Sequence, residues 1–132
     1  MPQRSPVVLL WVLAVVFVFV GVAFIVAPGT FTEMAAGVAP SRPSALTDIR
    51  AVSGGVALAL GVFFALSVGR SDWVAPGLVL GALVGGWLAA SRLIGFVVDG
   101  GVTATQVSFT VIEVIVVALS LLALRGWKSV EG

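Results

Sequence analysis

The chain has 132 residues, of which 60% are hydrophobic and 10% charged, with a net charge of +1 and neither cysteine nor histidine. This composition leaves too little polar surface to coat a water-soluble domain and indicates an integral membrane protein without nucleic-acid partners. Disulfides, thiolate nucleophiles and His-ligated zinc or haem cannot be built from these residues alone.

Four apolar stretches are long enough to cross a bilayer, whose ~30 Å hydrocarbon core requires about 20 helical residues. We place them at residues 6–27, 48–68, 73–98 and 104–124. The first resembles a secretory signal, but its apolar run is longer than the ~7–15 residues typical of one and ends without a small-residue cleavage pattern. We therefore interpret it as a retained first helix.

The longest connection is residues 28–47, with prolines at 28, 40 and 43. We predict an outer loop with a short helical piece at residues 31–38, either a packed connector or a lid and partner surface. The connections at residues 69–72 and 99–103 are short turns.

The predicted fold is all-α: one membrane domain over residues 1–132, built as a four-transmembrane-helix up-down-up-down bundle. Lys and Arg favour the cytoplasmic side of membranes. Because Arg4, Arg70, Arg125 and Lys128 would share one side, we predict that both termini face the cytoplasm.

Glu113 stands out within the apolar run of residues 107–124. A charge at bilayer depth costs roughly 2.5 kcal/mol or more, so such residues usually face the bundle interior beside a partner. Arg50 and Arg92 are the candidate partners, and the predicted topology puts all three in the outer half. We expect the carboxylate to approach Arg92, Arg50 or both, as a structural ion pair or as part of a ligand site.

Helical phase places each intramembrane charge on a small or polar helix face. Small residues let membrane helices approach closely, and plain packing is their simplest interpretation. The predicted helix-packing positions are Gly54, Gly55, Gly61, Gly81, Gly85 and Gly95.

Two aspartates lie at predicted helix ends. Asp48, with Thr47, suits the N-cap of the second helix, and Asp99 before Gly100 suits the turn that ends the third. Both are also candidate members of the polar cluster with Arg50, Arg92 and Glu113. The sequence contains no metal-binding motif, nucleophile triad or phosphate loop, so no catalytic residue is predicted.

Three segments in order resemble a bacterial membrane family called domain of unknown function 4345, similar in layout to the DoxX-like group of small four-helix membrane proteins. They are Asp48-Ile49-Arg50-Ala51-x-x-Gly54-Gly55, then Arg92-Leu93-x-Gly95-x-x-x-Asp99-Gly100, then Glu113. The resemblance implies a multi-pass protein of the bacterial inner membrane and a single polar constellation. The DoxX-like layout further implies an accessory role in respiratory or redox complexes.

Three functions remain open from the sequence. We favour a non-enzymatic protein that binds a small amphiphile or anionic group, such as a lipid or quinone, with Arg50 and Arg92 as donors and Glu113 tuning them. The second is an accessory subunit of a larger membrane complex, and the third is a proton-linked carrier or enzyme that uses Glu113. Beyond the bilayer, other subunits or a second copy of the chain are the open partners.

Overall fold

The computed structural model describes residues 4–131, with side chains over residues 4–127, and this part of the chain is helical with short connections. A π-helical segment, Arg50–Gly55, joins α3 to α4, so that Pro43–Val68 is one continuous helix. The α-helices are α1 (Arg4–Val26), α2 (Pro28–Ala36), α3 (Pro43–Ile49), α4 (Val56–Val68), α5 (Ser71–Val98) and α6 (Ala104–Glu131).

Four helices are long and apolar enough to cross a membrane: Arg4–Val26, Pro43–Val68, Ser71–Val98 and Ala104–Trp127. Large apolar side chains cover their outer surface, and Val15, Phe19, Trp87 and Val97 are each more than 60% exposed. Such a surface suits lipid and would be unstable in water. The predicted all-helical class with four long apolar helices is confirmed; of the basic residues used for orientation, the Lys128 side chain lies outside the described part.

The second spanning helix begins at Pro43, five residues before the predicted start at Asp48. Proline is favoured in the first turn because its missing N–H needs no partner there and its φ is already helical. The Thr47 hydroxyl donates to the Pro43 carbonyl oxygen at 3.3 Å, within the helix. The prediction that Thr47 or Asp48 caps this helix is therefore wrong, and Arg42 holds the N-cap position without a side-chain hydrogen bond.

The connection at residues 28–47, predicted as a loop with a short helical piece at residues 31–38, contains the nine-residue helix α2, which starts three residues earlier and ends two residues earlier than that piece. Pro28 begins α2 directly after α1, and Gly37 ends it with a left-handed φ of 77°, a conformation that glycine adopts without a Cβ clash. Phe31 packs against Phe24 of α1, with ring centroids 5.9 Å apart. Only residues 37–42 separate α2 from α3.

α1 and the helix Pro43–Val68 pack backbone to backbone through glycines. A Cβ added at Gly61 would lie 2.6 Å from the Val18 nitrogen, and one added at Gly54 would lie 2.7 Å from an Ile25 side-chain carbon. The contacts run in opposite chain order, so the two helices are antiparallel. Close approach of this kind is how membrane helices gain van der Waals contact.

α5 and α6 form a second antiparallel pair. A Cβ at Gly85 would lie 3.1 Å from the Glu113 carbonyl oxygen, and one at Gly81 would lie 3.2 Å from the Ser120 hydroxyl. Gly55 and Gly95 differ from the other predicted packing positions, because an added Cβ at either would meet no described atom of another helix within 4 Å.

The two helix pairs are joined by a core at one end of the bundle. Its buried apolar residues include Leu10 and Leu13 of α1, Phe64 of α4, and Val74 and Leu78 of α5. We call this end, which holds the α4–α5 turn, the core half, and the end that holds α2 and the α5–α6 turn the α2 half. The largest fully buried side chains among the described residues all lie in the core half. In the α2 half the buried residues are smaller: Gly21, Ala23, Pro28, Gly54, Ala57, Gly85, Ala89 and Thr110.

Replacing Gly61 with alanine should destabilise the protein by about 1–3 kcal/mol, because overpacking forces the two helices apart. The measurement is thermal unfolding in detergent micelles. Gly101→Ala is the matched control, since an added Cβ there meets nothing within 4 Å. Equal stability of the two variants would contradict the close helix contact.

Candidate functional site

An ion pair between Arg92 of α5 and Glu113 of α6 is the centre of the polar region. Arg92 Nε donates to both carboxylate oxygens, at 3.1 Å to Oε1 and 3.2 Å to Oε2. The Glu113 side chain is 12% exposed and that of Arg92 is 31% exposed. The acid is therefore enclosed, while part of the base stays accessible.

The antiparallel packing of α5 and α6 explains why these side chains meet. The Glu113 backbone lies beside Gly85, which is seven residues, about 10 Å, before Arg92 along α5. Side chains on a helix lean toward its N-terminus. Arg92 therefore leans back along α5 and Glu113 leans back along α6, and each side chain closes part of the gap. The pair fixes the two helices at this level.

Phe109 supplies a second contact to Arg92. The guanidinium carbon lies 5.3 Å from the centre of the Phe109 ring, within the range of a cation–π interaction. Phe109 precedes Glu113 by four residues and so shares its face of α6. The acid and the ring together hold the guanidinium against α6.

The terminal nitrogens of Arg92 remain available. Among the described residues only Nε donates a hydrogen bond, and both of its acceptors belong to Glu113. A guanidinium carries two N–H groups on each terminal nitrogen in a planar fork. The site thus presents unused donors on a side chain whose position is fixed.

Arg50 does not take part in the Arg92–Glu113 ion pair. Its Nε donates to the Ile25 carbonyl oxygen at 3.0 Å, and its side chain forms no ion pair with a described residue. The last carbonyls of a helix lack intrahelical partners and carry partial negative charge. Pro28, two residues beyond the end of α1, has no N–H to offer them. Arg50 therefore caps the C-terminus of α1, and of the two expected partners only Arg92 pairs with Glu113.

The sequence did not predict the π-helical segment that begins at Arg50 and ends at Gly55. π-helical turns are rare and frequently occur at functional sites. The Gly54-Gly55 pair was the available signal, because adjacent residues of low helix propensity allow irregular turns. Phe109 was also missed, although its spacing from Glu113 indicated a shared face.

The two aspartates are exposed and form no ion pair with described residues. Asp99 follows α5, and its N–H donates to the Gly95 carbonyl oxygen at 2.8 Å. Gly100 then takes a positive φ of 70°, so the predicted helix-ending turn is present. No group of three acidic, His or Cys residues within the described chain could hold a metal ion.

A shallow apolar depression of about 350 Å³ is lined by Leu93, Ile94, Val97 and Val98. At about 100° of rotation per residue, these side chains point to the face of α5 opposite Arg92. The depression belongs to the outer apolar surface and contributes nothing to the Arg92–Glu113 site.

Arg50→Ala should lower the free energy of unfolding by about 1 kcal/mol, since it removes a charged donor from the end of α1. Arg50→Lys should retain part of this stability, because an ammonium group also donates to a carbonyl. Thermal unfolding in micelles measures both. Arg42→Ala is the control, as its exposed side chain forms no hydrogen bond or ion pair with a described residue. Equal effects at residues 42 and 50 would contradict the capping role.

One comparison with known proteins gives a match. The family model described as Domain of unknown function (DUF4345) matches residues 7–124, a stretch that includes nearly all of the four spanning helices, the π-helical segment and the Arg92–Glu113 pair. No curated protein and no solved structure matches this chain. Because the match covers most of its length, the chain belongs to the family of domain of unknown function 4345.

Proposed function

We propose that this protein is a non-enzymatic, multi-pass membrane protein that binds a small amphiphile through Arg92 in the α2 half. The proposal rests on the hydrogen bonding of the Arg92 guanidinium, in which one nitrogen is paired and the other two are not. Nε is committed to Glu113, while the terminal nitrogens donate to no described residue. The Arg92 side chain is 31% exposed, so these donors are accessible to an oxygen-bearing head group, which would accept charge-assisted hydrogen bonds from them.

The depth of Arg92 supports an amphiphile. α5 has 28 residues and is therefore about 42 Å long, against a hydrocarbon core of ~30 Å. Arg92 lies about 9 Å from the end of α5, close to the boundary between head groups and hydrocarbon. Lipid esters and head groups supply oxygen acceptors at this level. A membrane lipid is thus the first candidate ligand, and a quinone is the second.

Glu113 acts in this proposal as a positioning residue. Both of its oxygens accept from Arg92 Nε, which fixes the direction of the guanidinium, and Phe109 supports one side. A fixed donor loses little conformational entropy when a ligand binds. We propose no reaction at this site, because the carboxylate is occupied by Arg92.

The α2 half faces the outside of the cell in this proposal, with both termini in the cytoplasm. The basis is the side of the chain on which lysine and arginine are enriched. The proposal also takes the protein to be a single up-down-up-down domain in the bacterial inner membrane, with the layout of the DoxX-like group.

Because the chain has no cysteine, single cysteines can report this orientation. A membrane-impermeant maleimide should label Ser41→Cys and Gly101→Cys in spheroplasts, whereas Ser71→Cys should react only after lysis. All three positions are exposed. The reverse labelling pattern would contradict the orientation and leave amphiphile binding untouched.

Arg92→Ala should reduce the occupancy of a copurified amphiphile by about tenfold or more, the loss expected when a charged hydrogen-bond donor is removed. Native mass spectrometry of protein extracted from its own membrane in a mild detergent measures this occupancy. Arg42→Ala, an exposed arginine in the same half, should leave it unchanged. An empty wild-type protein, or equal occupancy in the Arg92 variant, would contradict the proposal.

A further inference from the structure

We infer that the Arg92 site selects an uncharged, oxygen-bearing head group over an anionic one. This inference rests on the proposed function and names the ligand class for the same site. Its basis is the ion pair: Glu113 lies against Arg92 with both oxygens on one nitrogen, so an incoming ligand meets a neutral pair and not a free cation.

Glu113 weakens the electrostatic attraction of Arg92 for an anionic ligand, while the terminal nitrogens of Arg92 keep their hydrogen-bond donors. A negative head group at the terminal nitrogens would be attracted by Arg92 and repelled by Glu113 a few ångströms further away. At an effective dielectric constant of about 20, repulsion across about 6 Å corresponds to roughly a hundredfold in affinity. Glu113 thus cancels most of the attraction, while the cost of dehydrating the anion remains. An uncharged carbonyl or hydroxyl oxygen accepts the same hydrogen bonds without that cost.

Nearby charges do not restore an attraction for anions. Arg50 is committed to the Ile25 carbonyl oxygen at the end of α1, and Arg42 is exposed on the connection before α3. The α2 half also carries more acids than bases. Its charged residues are Arg42, Arg50 and Arg92 against Glu33, Asp48, Asp99 and Glu113. The surrounding field therefore does not favour an anion.

A ligand reaches the donors of Arg92 at the edge of the guanidinium that carries the terminal nitrogens. Phe109 covers one side of the guanidinium, and Glu113 occupies the Nε edge. Neither residue covers the edge that carries the terminal nitrogens, and the Arg92 side chain is 31% exposed. A carbonyl or hydroxyl oxygen fits this edge in the plane of the guanidinium.

A matched pair of lipids tests the selectivity. Dioleoylglycerol and dioleoylphosphatidylglycerol share their two acyl esters, and only the second is anionic. Wild-type protein in a non-ionic detergent is mixed with equal amounts of both, and native mass spectrometry gives the ratio bound. We expect dioleoylglycerol to be preferred. Preference for the phosphatidylglycerol would overturn the inference without the need for any variant.

Glu113→Gln keeps the shape of the side chain and an acceptor for Arg92 Nε while it removes the charge. This variant should shift the bound ratio toward phosphatidylglycerol by about tenfold or more. Glu33→Gln is the control, because this exposed acid of the same half forms no ion pair with a described residue, and it should leave the ratio unchanged. An unchanged ratio in Glu113→Gln would overturn the inference.

Failure of this inference and failure of the proposed function give different results. If Arg92→Ala releases both lipids but the wild type prefers the anion, only the selectivity is wrong. If Arg92→Ala binds both lipids as the wild type does, the site itself is wrong. Thermal unfolding of each variant shows whether a loss of binding reflects a loss of structure, and the wild-type ratio decides the selectivity even if a variant unfolds.

Discussion

A carboxylate inside an apolar helix pair requires a cation, and this constraint organises the α2 half of the protein. Arg92 supplies the cation from the neighbouring helix, across a contact that Gly85 keeps short. Each partner alone would be costly at this depth. Together they form a neutral unit that fixes α5 against α6. The pair also leaves the terminal nitrogens of Arg92 unused, and the functional proposal follows from this surplus of donors.

The large buried core of the bundle and the Arg92–Glu113 site lie in different halves of the protein. Large apolar side chains fill the core half, where Leu10, Phe64 and Leu78 join the two helix pairs. The α2 half instead buries small residues, and its helix pairs are held by glycine contacts, by the Arg92–Glu113 pair and by the Arg50 cap on α1. Small buried side chains beside fixed polar groups are compatible with ligand entry, whereas tight packing of large side chains resists it.

The main architecture could be predicted from the sequence because the physical constraints that determine it are strong. Apolar length gave the four spanning helices, and the cost of a lone carboxylate indicated a cationic partner for Glu113. Local backbone choices were harder: Pro43 starts a helix where a loop was predicted, and Arg50–Gly55 adopts a π-helix. The choice of Arg92 over Arg50 depended on which backbone carbonyl lay within reach of Arg50. Such a contact between distant segments leaves no periodic signal in a single sequence.

Glu113 holds Arg92 by Nε alone, and the terminal nitrogens of Arg92 donate to no described residue. Solid-state NMR of protein in lipid bilayers, with ¹⁵N-labelled arginine and ¹³C-labelled glutamate, tests this arrangement most directly, and Arg92→Lys identifies the Arg92 signals by their loss. We expect strong dipolar coupling between the Glu113 carboxyl carbon and Arg92 Nε, and weaker coupling to the terminal nitrogens. Strong coupling to a terminal nitrogen, or none to any Arg92 nitrogen, would contradict it.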